Sequence, residues 1–117
     1  MAIEDITIRE GTTASIPMQL LTDGEPIDLS GVDHVRFDMV NKLHETYRYS
    51  SSDNPAYLVI TNASTGTVTF TPPDEAVFRY QKSPYKCYVW VYVTSTQRYA
   101  VPEDEDYNCL IKVIREY

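Results

Sequence analysis

The chain has 117 residues, 43% of them hydrophobic and 23% charged, which is the composition of a single globular domain covering residues 1–117. Seventeen acidic residues against ten basic ones give a formal net charge of −7, which disfavours binding to nucleic-acid phosphates or docking on an anionic membrane. The chain contains neither a signal-peptide pattern nor an apolar stretch near the roughly 20 residues that span a bilayer. We therefore expect a protein that folds in the cytoplasm.

Short runs of alternating apolar and polar residues, separated by turn signals rich in Gly, Pro, Asn and Asp, predict an antiparallel β protein. Pro17 lies inside the second run, and because proline cannot donate to a strand ladder, this strand is expected at a sheet edge or a bulge. The segment 42–55 loses the alternation and is interpreted as a weak strand followed by a mobile polar loop. The other predicted strands cover residues 5–10, 13–21, 34–40, 56–61, 67–71, 85–93, 98–101 and 107–114.

Two further segments define the architecture. The run TVTFT directs Val68 and Phe70 to one face and three threonines to the other, which predicts a wet sheet surface. The segment 72–80, PPDEAVFRY, is the one predicted helical turn, because proline begins it and acids follow. About eight short strands with almost no helix favour an immunoglobulin-like antiparallel β-sandwich, and a small Greek-key barrel is the second architecture.

The run CYVWVYV, which begins at Cys87 and ends at Val93, has no polar face. Alternation places Tyr88, Trp90 and Tyr92, here called the aromatic row, opposite a face of small apolar side chains. Three interpretations are open: the chain itself covers the second face, the aromatic row packs on a neighbouring subunit, or the row lies in the core with the valines outward. Tyrosine and tryptophan are enriched at interface hot spots, so the row is the candidate protein interface.

The sequence offers no pattern typical of catalysis or of cofactor or metal binding. His34 and His44 lack neighbours in zinc-ligand spacing, and no phosphate loop, nucleophile elbow or metalloprotease helix is present. Cys87 and Cys109 are interpreted as buried thiols, with a disulfide between adjacent strands as the alternative. The four acids at 103–106 form either a solvated turn or a weak Ca²⁺ site. We expect a protein that is not an enzyme.

Three segments combine turn and strand motifs in a defined order. Residues 5–40 contain a D-G-x-P-hydrophobic-D-L-S/T-G turn before a V-x-F-x-M strand, residues 62–77 contain a G-x-V-x-Y/F strand before a short turn, and residues 85–113 contain a closing hairpin whose short return ends at Pro102. The matching residues are Asp23, Gly24, Pro26, Asp28, Leu29, Gly31, Val35, Phe37, Met39, Gly66, Val68 and Phe70. Together these segments resemble the immunoglobulin-like domain at the N-terminus of tailed-phage baseplate upper proteins. That family usually has a glycine before the long penultimate strand, where this chain has QKSPYKCY.

The resemblance implies a non-enzymatic structural or assembly component of a bacteriophage virion, a tail or baseplate adaptor that folds in the host cytoplasm. Its implied partners are other virion proteins and copies of itself, contacted through strand faces and edges, with no cofactor, nucleic acid or membrane. A capsid-surface decoration protein or a neck protein is the alternative within a particle. A carbohydrate-binding β-sandwich is the alternative from another class, in which the aromatic row, or Tyr47 and Tyr49, would stack on sugar rings.

Overall fold

The computed structural model describes residues 5–22, 24–100 and 109–115, and these form an all-β protein. Two short 3₁₀ helices, Ala63–Thr65 and Tyr80–Lys82, are the helical elements in these ranges. The strands are β1 (Ile6–Arg9), β2 (Ile16–Gln19), β3 (Leu21–Thr22), β4 (Glu25–Pro26), β5 (His34–Val40), β6 (Thr46–Ser50), β7 (Leu58–Asn62), β8 (Thr67–Phe70), β9 (Tyr85–Tyr92), β10 (Arg98–Ala100) and β11 (Cys109–Ile114). No helix in the described ranges is long and apolar enough to cross a membrane.

Most strands belong to two sheets. The large sheet has the order β1-β11-β9-β5-β6, and β10 pairs with β9 on the edge that it shares with β11. The small sheet has the order β2-β8-β7, and β3 pairs with β4 in a separate hairpin. All pairings are antiparallel except that of β1 with β11, which is parallel and departs from the purely antiparallel prediction. The central strand β9 therefore pairs with β5 along one edge and with β10 and β11 at the two ends of the other edge.

The two sheets pack face to face through aromatic and aliphatic side chains. Phe37 of β5 contacts Phe70 of β8, with ring centroids 5.2 Å apart, and Phe70 also meets Phe78 edge to face at 6.1 Å. Alternation explains this geometry, because every second residue of a strand faces the opposing sheet. The arrangement is β-sandwich-like, with one core between the sheets. The largest fully buried side chains include Tyr85, Phe37, Phe70, Phe78, Leu20, Leu29, Met39, Leu58 and Ile111.

Gly66 shows how closely the turns pack against this core. It ends the first 3₁₀ helix with φ 68°, and a Cβ atom there would lie 2.4 Å from the carbonyl oxygen of Ile27. Its own carbonyl accepts a hydrogen bond from the amide of Leu20 at 2.8 Å. Any side chain at this position would be strained and would push the 20–27 segment away from the small sheet.

Several predictions about individual segments are confirmed and one is wrong. Pro17 lies on β2, an edge strand of the small sheet, and the weak strand expected within 42–55 is β6. The predicted helical turn at 72–80 is instead a series of bends and turns, because Val77 and Phe78 are drawn into the core and their carbonyls accept hydrogen bonds from other segments. Asp23 and Pro102 of the sequence motifs lie outside the described residues.

Candidate functional site

The structure settles which face of β9 is buried. The small side chains that alternate along the strand from Cys87 to Val91 are at most 1% exposed and face the small sheet. Tyr88, Trp90 and Tyr92 point the other way and are half-buried on the outer face of the large sheet. The arrangement with the aromatic row in the core is therefore wrong, and the remaining question is what covers the row.

Two arginines from neighbouring strands flank the aromatic row. Trp90 lies opposite Arg36 of β5, and Tyr92 lies opposite Arg98 of β10. The Cζ atom of Arg98 is 4.1 Å from the centroid of the Trp90 ring, and that of Arg36 is 5.8 Å from it. Since β5 and β10 pair with opposite edges of β9, the two guanidinium groups approach the indole from two sides. Such cation–π contacts hold the ring in one orientation.

Tyr92 joins three cationic or ionisable side chains at the end of the row. Its hydroxyl accepts hydrogen bonds from Nη1 of Arg36 at 3.1 Å and from Nη1 of Arg98 at 3.2 Å. The imidazole of His34 stacks on its ring with centroids 4.1 Å apart and planes 15° apart, and Nδ1 of His34 lies 2.6 Å from the carboxylate of Asp33. Tyr92 is therefore held from both neighbouring strands, and its position is well defined.

Asp38 is a buried carboxylate at an outward position of β5, opposite Tyr88. Its two oxygens lie 3.1 Å from Nη2 of Arg36 and 3.3 Å from Nε of Arg48, so one carboxylate bridges two guanidinium groups. The whole residue is only 6% exposed, whereas the Arg48 side chain is 60% exposed. The Nε atom of Arg36 is buried and has no hydrogen-bond partner among the described residues. A charge buried this far depends on its ion pairs, so Asp38 holds Arg36 and Arg48 in place on the same face of the sheet.

The outer face of the large sheet concentrates positive charge. Each of its six strands contributes one basic side chain to this face, whereas Asp38 is the one acidic residue at the face's strand positions in the described part of the chain. Six of the ten Lys and Arg residues are thus collected on one surface of a chain whose net charge is −7. We call this surface the cationic face; its basic residues are Arg9, Arg36, Arg48, Lys86, Arg98 and Lys112.

An open groove of about 640 Å³ lies at the end of the cationic face, between Tyr92 and the turn that follows β6. Its lining includes Arg36, Arg48, His34 and Asp33 together with several hydroxyl side chains. Among the described residues, His34 hydrogen-bonds to Asp33 and to no serine in the groove. Two aspartates, Asp33 and Asp53, line the groove as well as the two arginines, so it has no excess of positive charge, and the described residues place no activated nucleophile in it.

The tyrosines of β6 do not join this surface. Tyr49 packs on Phe70 with ring centroids 4.8 Å apart, and Tyr47 lies 6.1 Å from Tyr85, so both rings face the core. Burial, the main cause, raises the pKa of Tyr49 above its usual value. The packing of both partly buried rings against core residues therefore does not favour the hypothesis that Tyr47 and Tyr49 stack on sugar rings.

The two cysteines meet inside the core. Cys87 and Cys109 lie directly opposite each other on β9 and β11, both are fully buried, and both are free thiols. Burial, reinforced by a hydrogen bond to the Cys109 side chain, raises the pKa of the Cys87 thiol well above its usual value. The thiol of Cys87 is thus protonated and unreactive at neutral pH, which agrees with the interpretation as buried thiols.

The remaining candidate residues are dispersed. His34 belongs to the cationic face, whereas His44 occupies an exposed turn with φ 64°. Within the described ranges, no group of three or more His, Cys, Asp and Glu side chains is placed to hold a metal ion. The acids at 103–106, considered for Ca²⁺, lie outside the described residues.

The sequence identified the aromatic row but missed the arginines that surround it. Arg36 and Arg98 alternate with inward residues on their strands, which marks them as outward, but only the strand register shows that both lie beside Trp90. No protein-family model matches the chain, and no curated protein matches it significantly. The geometry of the cationic face is therefore the main indication of its function.

Proposed function

We propose that this protein is a non-enzymatic assembly module of a bacteriophage particle, a tail or baseplate adaptor, that binds other virion proteins through the cationic face. The observation that carries the proposal is the aromatic row on an outer sheet face, interleaved with Arg36 and Arg98. Tryptophan, tyrosine and arginine are the residue types that dominate the binding energy of protein interfaces.

The rigidity of the surface supports the same proposal. β9 is paired on both edges, so the backbone beneath the aromatic row is fixed, and Arg36 is tied to both Tyr92 and Asp38. A surface that is already ordered loses little side-chain entropy on association, which favours tight protein contacts. The face is also broad, since all six strands of the large sheet contribute to it.

The proposal of an immunoglobulin-like phage domain draws its support from the order of the sequence motifs and from the β-sandwich-like packing. Three motif glycines, Gly24, Gly31 and Gly66, have φ values of 80°, 79° and 68°. Each thus lies in a backbone region that other residues rarely adopt, as glycine in a tight turn does. The turns of the motif are therefore built around these glycines.

Carbohydrate binding is not favoured as a second function. Stacking on a sugar ring requires an exposed aromatic face, and both guanidinium groups lie over Trp90. Tyr47 and Tyr49 are directed to the core. A sugar would have to displace Arg98 from Trp90 and from the Tyr92 hydroxyl before it could stack.

The test is to add purified protein to particles assembled without it and to measure co-sedimentation. We expect wild-type protein to bind and Trp90→Ala to bind at least about tenfold more weakly, because a central aromatic side chain is lost from the interface. Thr69→Ala, on the outer face of the small sheet, is the matched control and should bind like wild type. A wild-type protein that stays monomeric and never associates with particles would contradict the proposal.

A further inference from the structure

We propose that the partner of the cationic face is an acidic protein surface, whose carboxylates pair with Arg98 and Arg48 while its remaining atoms cover the aromatic row. This inference rests on the proposed function and adds the chemistry of the partner to it. Its starting point is the uneven distribution of charge, with six basic side chains on one face of a chain of net charge −7. Complementary charge at an interface selects the partner and accelerates its approach.

Two of the arginines have donors left for a partner. A guanidinium group has five N–H donors. Within the described part of the chain, Arg98 donates one hydrogen bond, to the Tyr92 hydroxyl, and Arg48 donates one, to Asp38. Both side chains are exposed, so a partner can reach them. Guanidinium groups bind carboxylates through two parallel hydrogen bonds, which is the geometry that an Asp or Glu of a partner would satisfy.

Arg36 has a different part in the same surface. Its Nη1 and Nη2 atoms are already engaged by Tyr92 and Asp38, and its side chain is 17% exposed. Asp38, the one acidic residue at the strand positions of this face in the described part of the chain, is thus already paired within the molecule. It neutralises the buried Arg36 and steadies Arg48, and it leaves Arg98 without a carboxylate partner among the described residues.

A protein fits the surface better than a nucleic acid does. Single-stranded nucleic acids bind sheet faces by stacking bases on aromatic rings, and here Arg98 lies 4.1 Å above the Trp90 ring. Phosphate backbones also carry a higher charge density than folded proteins, so the net charge of −7 opposes them more strongly.

A second copy of the chain fits less well for an electrostatic reason. Two cationic faces that meet each other place arginine against arginine, which costs free energy at an interface. The net charge of −7 also makes whole molecules repel each other. An acidic surface on a different protein avoids the first objection, because carboxylates rather than arginines would meet the cationic face.

The chain contains one tryptophan, so Trp90 fluorescence reports on this face alone. We would titrate the protein with poly-L-glutamate, and in parallel with poly-L-lysine and with an oligothymidylate. We expect a change in Trp90 fluorescence with poly-L-glutamate only. Affinity should fall at least about tenfold between about 0.1 M and about 1 M NaCl, where the Debye length shrinks from about 10 Å to about 3 Å.

Substitutions of Arg98 test whether the carboxylates of poly-L-glutamate bind at the arginines. Arg98→Glu should weaken poly-L-glutamate binding at least about tenfold, and Arg98→Gln should weaken it less, because it removes attraction without adding repulsion. Lys42→Glu is the matched control, since it makes the same change of net charge at an exposed position outside the large sheet's strands. It should alter affinity less than about twofold. Unfolding curves would confirm that each variant is folded.

The other outcomes overturn either the acidic partner or the assembly function, and they can be told apart. A stronger response to oligothymidylate assigns the face to nucleic acid, and salt-dependent self-association that Arg98→Glu abolishes assigns it to a second copy. Particle binding that is lost in Trp90→Ala, but survives both Arg98→Glu and high salt, removes the acidic partner and leaves the assembly function standing. Poly-L-glutamate binding without any particle binding removes the assembly function and leaves the charge preference.

Discussion

The outer faces of the two sheets differ although both sheets enclose the same core. On the small sheet the outward strand positions carry no charged side chain. Hydroxyl groups pair there, Thr61 with Thr69 at 3.1 Å, and just outside the strand ends Ser15 pairs with Thr71 at 2.8 Å. On the large sheet the outward positions carry a basic residue on every strand around the aromatic row.

This difference in side-chain composition shows which outer face carries residues typical of protein interfaces. A threonine-rich face is compatible with water and with the β-strand, so solvent exposure and strand propensity are enough to explain it. Large aromatic rings and guanidinium groups on an outer face are ordered by mutual contacts, yet within the described part of the chain Arg98 and Arg48 each donate only one hydrogen bond and are exposed. The large sheet is therefore the side of the molecule on which recognition is expected, and the following experiments test that contrast.

The largest effect on stability is expected from Asp38→Ala. Removing the carboxylate leaves the mostly buried Arg36 without its ion pair, and we expect the free energy of unfolding to fall by about 3–4 kcal/mol. Arg48→Ala, which removes the exposed partner of the same carboxylate, should cost less than about 1 kcal/mol. Urea unfolding of both variants measures the difference. Equal losses would show that Asp38 does not anchor the face.

Tyr85→Phe tests the inner side of the large sheet. The buried hydroxyl donates to the carbonyl of Val77 at 2.7 Å and accepts from the amide of Arg79 at 3.0 Å, so its loss should cost about 2–3 kcal/mol at neutral pH. Equilibrium unfolding in denaturant at pH 7 measures this cost. A loss below about 1 kcal/mol would mean that water replaces both partners.

The same tyrosine makes stability depend on alkaline pH. Burial raises the pKa of Tyr85 above its usual value of 10.0 and that of Cys87 well above 9.0. The unfolded chain thus loses these protons first as pH rises, so stability is complete below about pH 9 and declines above it. Tyr85→Phe should show a shallower decline. Unfolding curves measured between about pH 8 and about pH 11 give the slope of this decline in stability. The same slope in the variant as in wild type would exclude Tyr85 as a cause.

Trp90→Ala separates a surface role from a core role. Full burial of the ring predicts a loss of about 3–5 kcal/mol, whereas a half-buried ring under Arg98 predicts about 1–2 kcal/mol. We expect the smaller value, together with the loss of particle binding described above. Thermal melts compare it with wild type, and a loss above about 3 kcal/mol would place the ring with the core side chains.

The smallest effect is expected on the small sheet. Thr69→Ala removes a hydrogen bond to Thr61 between partly hydrated hydroxyls and some β-propensity, so we expect a cost of about 0.5–1 kcal/mol. Binding to particles or to poly-L-glutamate should not change. A clear loss of either would mean that the threonine face also takes part in recognition, and the contrast between the sheets would fail.

Sequence patterns alone determined the local features of this protein. Period-two alternation placed Val35, Phe37 and Met39 in the core and identified the aromatic row as the opposite face of β9, and Pro17 marked an edge strand. These features follow from one strand at a time, because side-chain direction and the donor lost at proline are local properties. The helical turn predicted at 72–80 is wrong because the proline and acids of this segment are local signals. Burial of its apolar residues in the core requires a different backbone path.

Only the tertiary structure shows that basic side chains collect on this face and that two arginines lie beside Trp90. Arg36 and Arg98 lie on strands from distant parts of the chain, and they meet at Trp90 because β5 and β10 pair with opposite edges of β9. Strand register is set by the packing of the inner faces over the whole sheet, so no single segment encodes it. The cationic face on an acidic chain is therefore a consequence of how the strands are ordered, which the net charge of −7 conceals.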